Sequence, residues 1–377
     1  MIYFDHNATT PLLPQAKEVM DSAAKNFWGN PSSVHSVGRM AFAELERARQ
    51  RLADLINATP EELFFTSGGT ESDNLAITGI MDQFPKKEMV CSAIEHPAVS
   101  ETAMQLAAKG RVCRVAGVDS SGILNLEEFF DTVNDNTGLV SVMAASNEIG
   151  TLQPIDQIGD FLSKKETLFH CDAVQALGKI PVDVERSKID LLSLSSHKVN
   201  GPKGVGALYV RKGVSPKPLF CGGYQERRLR PGTQNLPAIL GFVEAAEISC
   251  STIAKTAEHL RNLTHHLYSG IAANIKDVIR NGDAEKRTPG TLNISFCGVE
   301  TQVLVAALDG EGICVSGGSA CHSGSIDPSA VLLAIARRYQ DAACAVRFSL
   351  GFSNTMEEVD RCIETLVRVV KRIRGLN

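Results

Sequence analysis

The middle of the chain alternates short apolar runs with amphipathic segments. EMVCSAIEH (88–96), GLVSVMAASNE (138–148), ETLFHCDAVQ (166–175) and IDLLSLSSHK (189–198) each carry an apolar run that ends in polar residues. Runs of this length between turn signals read as buried strands. Between them, LNLEEFFDTVN (124–134) and IDQIGDFLSKK (155–165) repeat apolar residues at helical spacing. The alternation predicts an α/β fold, a mostly parallel sheet with helices on both faces. Ligands of such sheets sit beyond the carboxyl ends of the strands. The polar residues that close the four runs should therefore converge: His96, Asn147, Asp172 with Gln175, then Ser195, His197 and Lys198. A long helical stretch begins near 234, with Pro237 suited to its first turn. It bridges to a second, smaller α/β unit. The expected division is a large domain over 13–250 and a small domain over 251–377, with the segment 1–12 packing on the small one.

Composition narrows the class. Of 377 residues, 44% are hydrophobic and 21% charged, which excludes a disordered chain. The 38 Lys and Arg against 43 Asp and Glu leave a net charge of −5. A global basic field for direct nucleic-acid binding is therefore absent. No run of 18 apolar residues exists to span a membrane, and MIYFDHNATTP has neither the basic nor the apolar region of a signal peptide. The expected location is the cytoplasm. Ten cysteines occur without a CxxC pair, against a zinc ribbon or a thioredoxin-type dithiol. They read as reduced and mostly buried thiols, Cys314 in the apolar GICV among them.

Three segments carry candidate chemistry. FFTSGGTESDNLAITGI (64–80) reads as strand, small polar turn and helix. Backbone N–H groups and Thr70 at a helix start make an anion site, although ordinary capping explains the same residues. The GxxxxGK[ST] phosphate loop is missing. Lys198 follows a buried strand, where partial desolvation suits a Schiff-base lysine, while a surface lysine is the plain alternative. Asp172 lies 26 residues earlier, one helix and one strand away. An aldehyde-capturing lysine, an acid for a ring nitrogen and a phosphate cradle are what pyridoxal 5'-phosphate needs. His96 can stack on its ring and Gln175 can reach its ring oxygen.

These residues lie in YFDHNATTP (3–11), FTSGGTESDNLAI (65–77), EHPAV (95–99), NEIGTLQP (147–154), HCDAVQALGKIPVD (170–183), SSHKVNGPKGVGALYVRK (195–212), GGYQERRLRPGTQN (222–235), SGGSACHSGSIDPSAVL (316–332) and RFSLGFSNT (347–355). With them the chain resembles, nearly end to end, the class V, fold-type I pyridoxal-phosphate enzymes, and more narrowly the cysteine desulfurases of the NifS/IscS class. The resemblance implies that Lys198 holds the cofactor, Asp172 pairs with its ring nitrogen and Gln175 with its ring hydroxyl. His96 would stack on the ring and act in acid/base steps. Asn147 would touch the ring oxygen or the substrate carboxylate, and Arg347 would clamp that carboxylate. Gly69, Thr70, Ser195 and His197 would hold the phosphate, with Thr233 supplied across a homodimer.

Cys321 lies among glycines and serines ahead of Asp327 and Pro328, which suit the N-cap and first position of a helix SAVLLAIARRY. The resemblance makes it the nucleophile that takes sulfur from L-cysteine and passes it to an acceptor protein, such as an iron–sulfur scaffold. The 26-residue step from Cys321 to Arg347 matches the long catalytic loop of this class. Departures from the pattern are His322 for threonine, Gly318 for serine, and Tyr224, Arg228 and Pro231 for small residues. Arg228 forms a basic cluster with Arg227 and Arg230. The ending KRIRGLN puts scaffold docking in doubt. A selenocysteine lyase, a class V aminotransferase or a non-catalytic sulfur-relay protein would share the same cofactor-site residues.

Overall fold

The computed structural model describes residues 1–318, 328–335 and 337–375. In chain order its strands are β1 (Ile2–Tyr3), β2 (Leu63–Thr66), β3 (Glu88–Ser92), β4 (Cys113–Ala116), β5 (Thr137–Ser141), β6 (Leu168–Asp172), β7 (Leu191–Ser195), β8 (Gly206–Val210), β9 (Val278–Asn281), β10 (Thr291–Phe296), β11 (Ile313–Cys314) and β12 (Ala345–Ser349). The main sheet runs β2-β8-β7-β6-β5-β3-β4. From β7 to β4 every pairing is parallel, and β8 runs antiparallel to both of its neighbours. Every residue of β5, β7 and β8 is buried, as strands covered on both faces require. One face packs on the helices Ser36–Asp54 and Leu236–Ser251, the other on Gly69–Met81 and Pro97–Ala108. The expected α/β class with a mostly parallel sheet is what the chain adopts.

A second core surrounds the antiparallel sheet β12-β10-β9 and the parallel pair β1-β11. Ile2 and Phe4 lie in it beside Leu267, Phe296, Phe348 and Leu366. A smaller cluster joins Ile94, Met143 and Ile149 of the large sheet's loops to Val331, Leu332 and Ile335. The strand ends of the large sheet thus face the second core.

Two helical expectations change. The stretch from 234 is two helices, Leu236–Ser251 and Ile253–Asn274, bent by 71° at Thr252. The Thr252 hydroxyl donates back to the Ile248 carbonyl at 2.9 Å, and its φ of −109° leaves the helical region. SAVLLAIARRY does not form one helix. Ala330–Ala334 is capped by Ser329, whose hydroxyl accepts from the N–H groups of Val331 and Leu332, and a separate turn covers Tyr339–Ala342. Asp327 lies outside the described residues, as do Cys321 and His322. Cys314 is half-buried rather than core, because β11 is a two-residue edge. All nine described cysteines are free, four of them buried.

Glu226, Arg227 and Arg228 have φ of 43°, 53° and 74°, a run of left-handed residues that costs about 1–2 kcal/mol each. A buried anchor offsets it. Arg49 makes a bidentate pair with Glu226 at 2.6 and 2.9 Å, and the same carboxylate accepts from the Phe65 N–H and the Gln234 amide. Arg49→Met leaves that carboxylate buried without its cation and should lower the unfolding free energy by about 3–5 kcal/mol. Chemical denaturation checks this; a change below about 1 kcal/mol would show that the pair does not hold the segment.

Candidate active site

Lys198 ends the short turn Ser196–Lys198 directly after β7. Its Nζ donates to the carbonyls of Asn7 at 2.6 Å and Ala8 at 2.8 Å. Asp172 closes β6, whose pairing sets it opposite Ser193 of β7. Its Oδ1 accepts from the Val174 N–H at 2.9 Å. Burial pushes the Asp172 carboxyl above the usual range, and the nearby Lys198 charge pulls it back. Gln175, three residues on, donates to the Asn7 carbonyl at 2.9 Å and accepts from Lys179. His96 caps the helix Pro97–Ala108, its Nδ1 accepting from the Ala98 N–H at 3.1 Å. An accepting Nδ1 puts the proton of the neutral ring on Nε2.

An anion cradle lies beside them. Gly69 and Thr70 open the helix Gly69–Met81, and Gly68 before them has φ 153° and ψ −177°, open only to glycine. A Cβ on Gly206 would come within 2.7 Å of Gly68 Cα, so β8 must also offer a glycine here. Ser195 Oγ is buried without a hydrogen-bond partner and sits 3.9 Å from where a Gly68 Cβ would be. His197 is held neutral, its pKa pushed down to about 4 by burial and then by Lys198, Lys203 and Lys179. Its Nδ1 is 3.2 Å from the Thr9 hydroxyl. Across the site, Arg347 of β12 is buried, donating to the Asn147 carbonyl at 3.0 Å and to Asp5 at 2.7 Å, while its Nε has no partner.

The model of the class-V aminotransferases matches residues 2–362. A cysteine desulfurase of Nostoc sp. is 41% identical over 378 aligned residues, covering 100% of this chain and 94% of its own. A solved NifS-like protein superposes with a TM-score of 0.92 at 39% identity, covering 98% of this chain and 99% of that one. A structure titled SspA in complex with cysteine has a TM-score of 0.84 at 32% identity, covering 94% of this chain and 100% of that one. The chain belongs to the class-V aminotransferases, within their cysteine desulfurase group.

Within that family frame, the structure brings His96, Asp172, Gln175, Ser195, His197 and Lys198 to the ends of β3, β6 and β7, with Asn147 beyond β5. Arg347 joins them from the small sheet. Thr233 is exposed on the loop ahead of Leu236–Ser251, and Cys321 lies outside the described residues. Several groups here were given no role by sequence reasoning. Asn7 bonds to Lys198 and Gln175 through its carbonyl, to Lys179 through its side-chain oxygen, and to Asn147 and Thr291 through its amide. Asp5 pairs with Arg347. Only their place in the motif YFDHNATTP marked either residue.

Behind Asp172 lie two further buried acids. Asp73 is pushed up by burial and by Asp172 and Glu95. Glu95 is pushed up to about 8, chiefly by burial, against bonds from the Ser92 hydroxyl and the Met143 N–H. His170 stays neutral between Ser141 and Ser193, its pKa pushed to about 3 by burial. An acid whose folded pKa is raised binds its proton more tightly when folded, so it stabilises less as pH rises from its unfolded to its folded value. Glu95→Gln keeps the side chain neutral. Its stability relative to the parent should therefore grow between about pH 4.5 and about pH 8 and level off above. Thermal unfolding at pH 5 and pH 8 checks it; a pH-independent difference would contradict the raised pKa.

Proposed function

We propose that the chain uses pyridoxal phosphate to take sulfur from L-cysteine, leaving L-alanine and a persulfide on Cys321. The observation that carries this is the meeting of an amine, a buried carboxyl and an anion cradle at one sheet end. The residues fit the cofactor: the unpartnered Ser195 hydroxyl, the glycine turn and the helix N-terminus suit a phosphate, and Asp172 suits a cationic ring nitrogen. Lys198 would hold its aldehyde carbon, with Gln175 at the ring hydroxyl and His96 on the ring face. Thr233 of the partner subunit would complete the cradle in a homodimer. When bound, the cofactor supplies an electron sink for the carbon that loses its proton.

The chain's own groups do the rest. Arg347 would receive the substrate carboxylate, already oriented by Asp5 and the Asn147 carbonyl. The buried Nε–H has no other partner, which supports this use. Lys198 Nζ would accept the α-proton. The Cys321 thiolate would attack the substrate sulfur; the new S–S bond forms as the Cβ–S bond breaks, and the carbon fragment is protonated to alanine. Thiolate is the reactive form, so nearby cations favour the step. The persulfide would then pass to an acceptor protein in iron–sulfur assembly or another thiolation route in the cytoplasm.

Mass spectrometry of the cofactor-loaded protein after adding L-cysteine tests the reading. We expect one added sulfur, about 32 Da, on the Cys321 peptide with alanine released, and both lost in Cys321→Ala. Full sulfide release by Cys321→Ala would favour a lyase that needs no thiol. Transamination without sulfur release would favour an aminotransferase, and no turnover at all a relay protein.

A further inference from the structure

Lys179 has no part in the chemistry above, yet it lies at the centre of the same polar cluster. It follows Gln175 by one helical turn's worth of residues and lines, with Lys198, His6 and Asn7, a cavity of about 540 Å³ between the two cores. Its Nζ donates to Asn7 Oδ1 at 3.1 Å and to Gln175 Oε1. The same Asn7 accepts from Lys198 and Gln175 through its backbone carbonyl at 2.6 and 2.9 Å. Two lysines thus grip opposite ends of one asparagine, and the glutamine beside them is held by both Asn7 and Lys179.

We propose that Lys179 is a positioning residue: through Asn7 and Gln175 it fixes the place of the Lys198 amine, and as a second cation nearby it eases proton loss from Lys198 Nζ. This rests on the reading of Lys198 as the cofactor-bearing base. The groups facing Lys179 agree with it. Lys198 and Arg347 are cations that, after burial, push the Lys179 amine down to about 7. His6, pushed to about 4, and His197 are neutral and are themselves disfavoured as cations by Lys179. Asn7 Oδ1 and Gln175 Oε1 both accept from Nζ and hold the amine in place. Like charges this close cannot both persist cheaply, so a proton on one lysine disfavours a proton on the other.

Charge and packing are separable by substitution. Lys179→Met and Lys179→Gln remove the cation; Lys179→Arg keeps one at every working pH. The first readout is the pH titration of the bound cofactor's visible absorbance in the loaded protein. The second is the pH dependence of reductive methylation at Lys198 in cofactor-free full-length chain, followed by mass spectrometry. We expect the midpoints to move up in the Met and Gln variants and down in the Arg variant. A shift of about half a pH unit corresponds to roughly a threefold change in unprotonated amine. Midpoints that stay put in all three variants, or move the same way in Arg as in Met, would overturn the proposal, since a purely structural role predicts no opposite signs. If the parent protein gains no visible cofactor band, the functional reading fails instead, and the methylation profiles still decide the coupling between the two lysines.

Discussion

Asn7 uses every polar atom it has. Its N–H donates to the Ser349 hydroxyl at 3.0 Å, its amide to Asn147 and Thr291, and its two oxygens accept from Lys179, Gln175 and Lys198. These partners come from the ends of β6 and β7, the turn after β5, and the two strands β10 and β12 of the small sheet. A buried amide left unpaired costs about 1–3 kcal/mol per group, so satisfying all of them ties the two cores to one register. Arg347 reads the same junction from the other side, through the Asn147 carbonyl and Asp5. The place where substrate would be held is therefore set by the N-terminal segment as much as by the large sheet.

Burial then sorts the charges. Asp73 and Glu95 sit deep enough to favour their protonated forms, His170 and His197 to favour the neutral ring. Asp172 has the same burial but faces Lys198, and so remains the carboxyl most readily ionised. One cluster of acids thereby presents one anion toward the site, which is what a cationic ring nitrogen requires. The cations are arranged by the opposite logic: Lys179, Lys198 and Arg347 crowd together, and Asp5 pairs with Arg347 at 2.7 Å.

The parallel sheet and the polar residues at its strand ends were legible along the chain because each strand is short, apolar and ends abruptly in polar residues. Position and chemistry coincide there: His96, Asp172 and Lys198 stand at strand ends by counting alone. Asn7 and Asp5 were not legible in this way, since their partners are 140 to 342 residues away and β1 is two residues long. Lys179 carries no local signal of its own within HCDAVQALGKIPVD, and only the folded contacts with Asn7 and Gln175 reveal it. The bend at Thr252 was hidden because threonine is tolerated in helices and only its back-bonding reveals the break. The cap at Ser329 was misplaced by two residues because Asp-Pro is the stronger signal by type.

On the proposed reading Lys198, and not its half-buried neighbour Lys179, carries the cofactor. Loading the protein with pyridoxal phosphate, reducing with borohydride and mapping the labelled peptide by mass spectrometry tests it most directly. The pyridoxyl label is expected on Lys198 alone. A label on Lys179, or on no lysine of the site, would contradict it.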